Sequence, residues 1–544
     1  MLYLKEFRDG RGKMFLYFPG VNRRTPYKRS GLFVLMDDVS RAHVEQVMAK
    51  LDLETLCRDE EIVLAFPVPG EGGWRGEDCE NFARFYEGIT KADDEPLTTN
   101  AIGIPTLEAM TSTWHPMNDV RYVIGLGSGA DFALRLCAEK PEWFAGVWTL
   151  GGKLPESTVP AAPMPAWLSG ADSATAQAFC RANEADTAEG NVRLCARNPV
   201  QRVILEDLPA DADAVRQVWQ RLFRKSRRVN TCVHGDLTNR LEDARKLFEC
   251  YVEDDRLDGR NHTWFVSVPS SLKEGEKAPL VVFFHGGSDN PAEAAEMCRL
   301  HELGEEEGFI TVYPWGSNRC SWNSSMEPDQ EDDVAYSAAL IRYMLRHYPV
   351  DAQRVYLSGF SNGAGQAQSV ALCHPELVTA IFPIDANWPG IRGKYTELEW
   401  QDVIPFRLGM ERKAEMDYRI PVWYTYGSRE PSYPVRRGRT QQHQYDYWKM
   451  YNHVQILPTP ARDEEGDPCG VAGDIQETLR PSTTYPDHWY EVNRFVDDRG
   501  ENLYNYVVMH DKGHEVAEQD ARLGWQYVRK YRRLPDGTLL RSED

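Results

Sequence analysis

No window of this sequence approaches 18 consecutive apolar residues, so no stretch reads as a membrane-spanning helix. The opening residues Met1-Leu2-Tyr3-Leu4-Lys5-Glu6 lack the basic region and long apolar run of a secretory signal. No Cys-x-x-Cys pair occurs, and the 11 cysteines are scattered and odd in number. That usage excludes a cysteine-rich zinc module and fits reduced thiols better than a disulfide framework, giving the expectation of a soluble, cytoplasmic protein. Positive charge is in deficit: 62 Lys and Arg against 83 Asp and Glu leave a net charge of −21. A surface that acidic repels phosphate backbones and anionic lipid, so neither nucleic acid nor a membrane surface is an expected partner. A low-complexity linker is also missing, although 544 residues is long enough for several domains.

What is present is ordinary globular composition, 42% hydrophobic and 27% charged, and an internal repeat. Residues 121–150 and 355–384 align without a gap, Tyr122 with Tyr356, Gly125 with Gly359, Gly129-Ala130 with Gly363-Ala364 and Pro141-Glu142 with Pro375-Glu376. Each stretch reads as an apolar strand, a glycine turn, a helix of small and apolar residues, and a second strand, which is the unit of a parallel sheet. Further out, Leu32–Met36 corresponds to Val281–His285 and Ile62–Pro67 to Phe309–Pro314. Each half is expected to close with a basic-rich helix, around Trp219 and around Trp525, ending in Arg227-Arg228 and Arg532-Arg533. The fold class is therefore α/β, with two tandem domains at roughly 1–228 and 229–544, each a mostly parallel sheet flanked by helices.

Gly359-Phe360-Ser361-Asn362-Gly363 matches G-x-S-x-G, between an expected strand at Arg354–Ser358 and an expected helix at Ala364–Cys373. A nucleophile elbow sits on such a strand-to-helix turn: the sharp turn exposes the serine Oγ, and the helix N-terminus favours negative charge beside it. Upstream, the strand Val281–Phe284 runs into His285-Gly286-Gly287-Ser288. The backbone N–H groups of Asn362 and Gly287 are the candidate oxyanion donors for acyl transfer, glycine leaving room for a substrate carbonyl. After the expected last strand, Tyr504–Met509, come His510 and His514, either of which could supply an imidazole to take and return the serine proton.

On these motifs, with Tyr313-Pro314, Cys320-Ser321-Trp322-Asn323, Glu331-Asp332-Asp333-Val334 and the run Tyr348–Gly363, residues 262–374 resemble the polyhydroxybutyrate depolymerase and feruloyl/acetylxylan esterase group of α/β-hydrolases. The resemblance implies an eight-stranded, mostly parallel sheet, two tandem α/β-hydrolase-like domains, and serine esterase chemistry with no metal and no cofactor. It also implies a triad in the order Ser, acid, His. It selects His514, which follows a glycine, as base, and places the acid in the turn after Ile420–Gly427, where this chain has Glu430 in place of aspartate. Asp385, after the preceding strand, is the alternative acid. His285, Gly286 and Trp322 are expected to line the substrate site, with a core position as the other reading of Trp322. Asp332-Asp333 are expected to cap a helix. The segment at about 455–500 is expected to overhang the cleft. The implied partner is a small-molecule or oligomeric ester, such as a hydroxyalkanoate oligomer, an acylated sugar or an aryl ester; the oligomeric state is not set by the sequence.

The first half lacks the same groups. Gly127 stands at the position of Ser361, Ser128 falls one residue late, and Met36-Asp37-Asp38 replaces His285-Gly286-Gly287. The strand Arg202–Leu205 is followed by Glu206-Asp207, with no histidine between His115 and His234. This domain is expected to be a non-catalytic duplicate, unless Ser128 serves a rearranged site. For the whole chain, a serine peptidase using the same constellation and a non-catalytic scaffold are the competing functions.

Overall fold

The computed structural model describes residues 2–8, 10, 12–19, 30–91, 117–241, 252–257, 260–287, 289–317, 321–385, 399–430, 440–454 and 473–542. They form two units, Met1–Glu242 and Asp243–Asp544. Ser226–Val229, at the boundary expected near 228/229, pairs antiparallel with Asp236–Asn239 as a hairpin of the first unit. Tyr122 donates its hydroxyl hydrogen bond to the Ser226 carbonyl at 2.7 Å, tying that hairpin to the sheet. The two closing helices end at Arg221 and Val528, so Arg227-Arg228 and Arg532-Arg533 lie on short strands beyond them. Arg228 and Arg533 are buried there, each giving its guanidinium hydrogens to backbone carbonyls.

Each unit holds a ten-stranded sheet, and the two sheets have the same strand order. In the first unit six parallel strands run side by side: Ile62–Pro67, Ser30–Leu35, Arg121–Leu126, Gly146–Leu150, Ala166–Ser169 and Arg202–Ile204. In the second they are Ile310–Pro314, Ala278–Phe284, Val350–Phe360, Ala380–Ile384, Val422–Gly427 and Asn502–Met509. Antiparallel strands flank both edges of each. The second sheet thus has ten strands where the resemblance implies eight. The additional pair is Ile475–Leu479 and Tyr490–Val496, which adds to the edge at Asn502–Met509. In that hairpin Tyr490, Val492, Asn493 and Phe495 are buried, so part of the segment expected to overhang the cleft adds two strands to the sheet. Residues 455–472 of the same segment lie outside the described residues.

The central strands are apolar on both faces, as strands covered on both sides require. Along Ser30–Leu35, Leu32 and Val34 belong to one buried cluster, and Phe33 and Leu35 to another on the opposite face. Full burial of each such side chain favours the folded state by about 1.5–3 kcal/mol. In the second unit one cluster gathers Leu280, Val282 and Phe284 with Leu357, Ile381, Val422 and Tyr506. In open parallel sheets the turns leaving the carboxyl ends of the strands are where ligands bind, and the candidate residues Ser361 and Glu430 lie on such turns. No helix among the described residues is long and apolar enough to cross a membrane.

Candidate active site

The strand Val350–Phe360 turns at Ser361 into the helix Asn362–Cys373. Ser361 has φ 53° and ψ −117°, a conformation that side-chain-bearing residues seldom adopt and that costs about 1–3 kcal/mol. Its N–H donates to the Ile384 carbonyl at 3.0 Å, which pins the turn to the neighbouring strand. A Cβ at Gly363 would lie 2.2 Å from the Phe284 carbonyl oxygen, so glycine alone lets the helix approach Ala278–Phe284 this closely. The first turn of the helix leaves the Asn362 N–H without an intrahelical partner. A Cβ at Gly287 would stand 3.8 Å from the Asn362 Cβ, so the two expected oxyanion residues are neighbours, with Gly287 exposed.

His285 and Trp322 are 0% and 4% exposed, which corrects the expectation that they line the substrate site. The His285 ring has Nδ1 2.7 Å from its neighbour's carbonyl, on Gly286, and Nε2 accepts the Gly316 N–H at 3.1 Å. Burial draws its pKa down to about 4, so the ring is neutral and serves as a brace. Trp322 donates its indole N–H to the His285 carbonyl at 2.9 Å and packs edge-on against Phe284. The Asn362 side chain clasps Trp322, accepting its N–H at 2.6 Å and donating to its carbonyl at 3.2 Å. Asp332 caps the helix Asp333–His347, whereas buried Asp333 accepts the N–H groups of Ser317 and Asn323. Buried polar groups must be paired, and these pairs use the polar atoms to hold the glycine turn beside the elbow. Gly286 is buried too, and a Cβ there would meet Asp289 and Phe360.

Two further turns meet beside Phe360, the residue before Ser361. His514 Nδ1 and Glu430 Oε1 are 2.5 Å apart, a short charge-assisted hydrogen bond between groups 84 residues apart in sequence. Glu430 is buried, His514 is 39% exposed, and the imidazole ring packs 4.7 Å from the ring of Phe360, the residue before Ser361. Burial disfavours the imidazolium, but the hydrogen bond and charge of Glu430, with the charge of Asp385, outweigh it, so the His514 pKa is raised. His510 instead stacks on Trp489 at 3.5 Å, with Nε2 3.6 Å from Glu491. Asp385 forms an ion pair with Lys512 at 3.1 Å, and Lys512 a second one with Asp520 at 2.8 Å. This wholly buried network is the part the sequence did not signal, since nothing local marks Lys512 as buried. Atoms of Asp385, Glu430 and His514 lie within 4.8 Å of one another, a spacing that could also hold a cation. Nδ1 of His514 is the ring nitrogen engaged by Glu430.

The first unit keeps the elbow's backbone with glycine at the serine position. Gly127 has φ 60° and ψ −136°, close to Ser361. The Trp74 indole donates to the Met36 carbonyl at 3.1 Å, as Trp322 does to His285. The Asp37 carboxylate then accepts the Ser128 N–H at 3.1 Å, and a Cβ at Gly127 would lie 2.6 Å from it. An internal anion thus sits on the N–H equivalent to that of Asn362.

Residues 266–385 match the Esterase PHB depolymerase family. The bifunctional acetylxylan esterase/xylanase XynS20E of Neocallimastix patriciarum is 32% identical over 108 residues, 20% of this chain and 15% of its own length. An acetylxylan esterase of Coprinopsis cinerea is 31% identical over 138 residues, 24% of this chain and 35% of its own. Poly(3-hydroxyalkanoate) depolymerase C of Paucimonas lemoignei is 30% identical over 131 residues, 23% of this chain and 31% of its own. The chain therefore spans about a third or less of each of these relatives. With the strand order and turns described above, the second unit is a mostly parallel α/β unit whose residues 266–385 are similar to the Esterase PHB depolymerase family.

Proposed function

We propose that the second unit hydrolyses carboxylic esters through an acyl-enzyme formed on Ser361. The hydrogen bond between His514 and Glu430 at the elbow carries this reading. With Nδ1 held by Glu430, Nε2 of His514 is the nitrogen that takes the proton as Ser361 Oγ attacks the ester carbonyl. The resulting oxyanion is held by the backbone N–H groups of Asn362 and Gly287. Collapse expels the alcohol, protonated by His514, and a water activated by the same imidazole releases the acid. Glu430 fixes the tautomer and stabilises the imidazolium, one methylene longer than aspartate but in hydrogen-bond contact. The names of the relatives favour an acetyl or feruloyl ester on a carbohydrate, or a hydroxyalkanoate oligomer, over an amide. We further read the first unit as a non-catalytic product of tandem duplication, supported by its matching strand order and by Asp37 on its elbow. The test is a panel of acetyl, feruloyl, hydroxybutyryl and aryl esters, beside aminoacyl amides, on the wild type and Ser361→Ala, with fluorophosphonate labelling. Turnover and label lost together in Ser361→Ala support the reading; ester turnover that survives the substitution overturns it.

A further inference from the structure

One carboxylate lies behind both of the turns that meet at the elbow. Asp385 follows the strand Ala380–Ile384 and is 1% exposed. Its Oδ1 accepts the N–H of Gly427, which opens the turn carrying Glu430, at 3.0 Å. Its Oδ2 accepts the N–H of Glu515 at 3.1 Å and lies 3.1 Å from Lys512 Nζ. The contacts with Lys512 and Glu515 therefore bracket His514. The two turns also touch directly: Arg429 N–H donates to the Lys512 carbonyl at 2.9 Å, and Asp511 N–H to Ser428 Oγ at 2.8 Å. Lys512 is tied from behind by Asp520, which also receives the Tyr490 hydroxyl at 3.0 Å and the Ala517 N–H at 2.9 Å.

The first unit shows that the backbone alone does not require this carboxylate. In the gapless alignment Asp385 falls opposite Gly151, with φ 48° against 76°. Each residue donates its N–H to the next strand, Asp385 to Thr425 and Gly151 to Ser169. Glycine adopts positive φ without a Cβ penalty, and aspartate does so at a cost. Where no histidine follows the last strand the position is glycine; where His514 follows it, a strained aspartate replaces glycine and spends every acceptor on the acid and base turns.

We propose that Asp385 is a positioning residue that fixes the Glu430 turn and the His514 loop relative to each other. This rests on the esterase reading for its functional meaning, but its geometric content does not. In Asp385→Asn the amide NH2 must face either the Gly427 N–H or both Lys512 and the Glu515 N–H, so one of the two turns loses its anchor. The expected result on the best ester is a fall in kcat of about 10- to 100-fold, from misplacement of the imidazole. KM should stay within about threefold. The imidazole N–H of His514 hydrogen-bonded to Glu430 should give a downfield proton resonance in the full chain, identified by its loss in Glu430→Gln. In Asp385→Asn that resonance should broaden or move upfield. Should leaving Lys512 with Asp520 as its one remaining carboxylate partner prevent folding, Asp385→Asn with Lys512→Met and Asp520→Asn removes all three buried charges and is expected to show the same two losses. A lowered melting temperature with unchanged resonance and kcat would overturn the proposal. So would an inactive Asp385→Asn beside a fully active Glu430→Gln, which would make Asp385 the acid. If no ester is turned over and Ser361 takes no label, the esterase reading fails, and the resonance still decides the positioning role.

Discussion

The two elbows differ by a few side chains on nearly the same backbone. Ser361 and Gly127 share a positive φ, their helices leave in the same way, and a glycine two residues on lets each helix press against a strand, at Phe284 in one unit and Leu35 in the other. An indole braces the preceding turn in both. Yet one elbow carries a serine and has the Glu430–His514 pair packed on its Phe360, and the other has the carboxylate of Asp37 on the N–H of Ser128. The strained turn is thus a property of the scaffold, stable without catalysis. The chemistry depends on what three other strand ends bring to it.

The sharpest way to break that contrast is at the nucleophile. Ser361→Ala in the full chain is expected to lower kcat by roughly 10³-fold or more with the fold intact. It should also abolish fluorophosphonate uptake, because Ser128 sits on a helix and its N–H is held by Asp37. Stoichiometric label on Ser128 would show that the first elbow is a working site after all.

Next in size is Glu430→Gln, expected to cost about 10²–10⁴-fold in kcat, since an amide keeps the shape but cannot stabilise the imidazolium. Activity near that of the wild type would remove Glu430 from the triad.

The same pair sets a pH dependence. The His514 pKa is raised, so the protonated ring cannot act as base until the pH exceeds that value. The acid limb of kcat/KM should therefore fall above the ordinary histidine pKa of about 6.5. Glu430→Gln removes the largest raising influence and leaves burial to act, so its residual limb should move to lower pH. A limb that stays in place, or rises, contradicts the geometry.

The smallest effect is expected from rebuilding the first elbow. Gly127→Ser in the Ser361→Ala background should restore no hydrolysis, because no imidazole follows Arg202–Ile204, and should destabilise the first unit by about 1 kcal/mol through its positive φ and its approach to Asp37. Denaturant unfolding measures the cost, and the ester panel reads any gain of turnover.

Much of this was legible along the chain. The repeat, the central strands, the elbow and its glycine turn, and the two histidines after the last strand all follow from apolar runs and spacing, which are local signals. Other assignments needed the packed structure. Whether His285 and Trp322 face substrate or brace a turn depends on which of their polar atoms are buried and what is near enough to pair with them. The edge hairpin was not legible, because the apolar alternation in Tyr490–Val496 breaks at Asn493-Arg494 and specifies no partner strand. The hairpin at the expected boundary stays with the first unit because Tyr122 and the Ala145 carbonyl hydrogen-bond Ser226.

The sequence by itself determined the α/β class, the doubled sheet and the serine on its turn, because side-chain periodicity and glycine conformational freedom act over a few residues. Only the tertiary structure decided that Glu430 bonds His514 while Asp385 turns to Lys512 and two backbone N–H groups. Both carboxylates follow adjacent strands and look equivalent in one dimension. What separates them is distance and burial at the ends of parallel strands, where residues far apart in the chain compete for the same donors in a medium that leaves no polar group unpaired without cost.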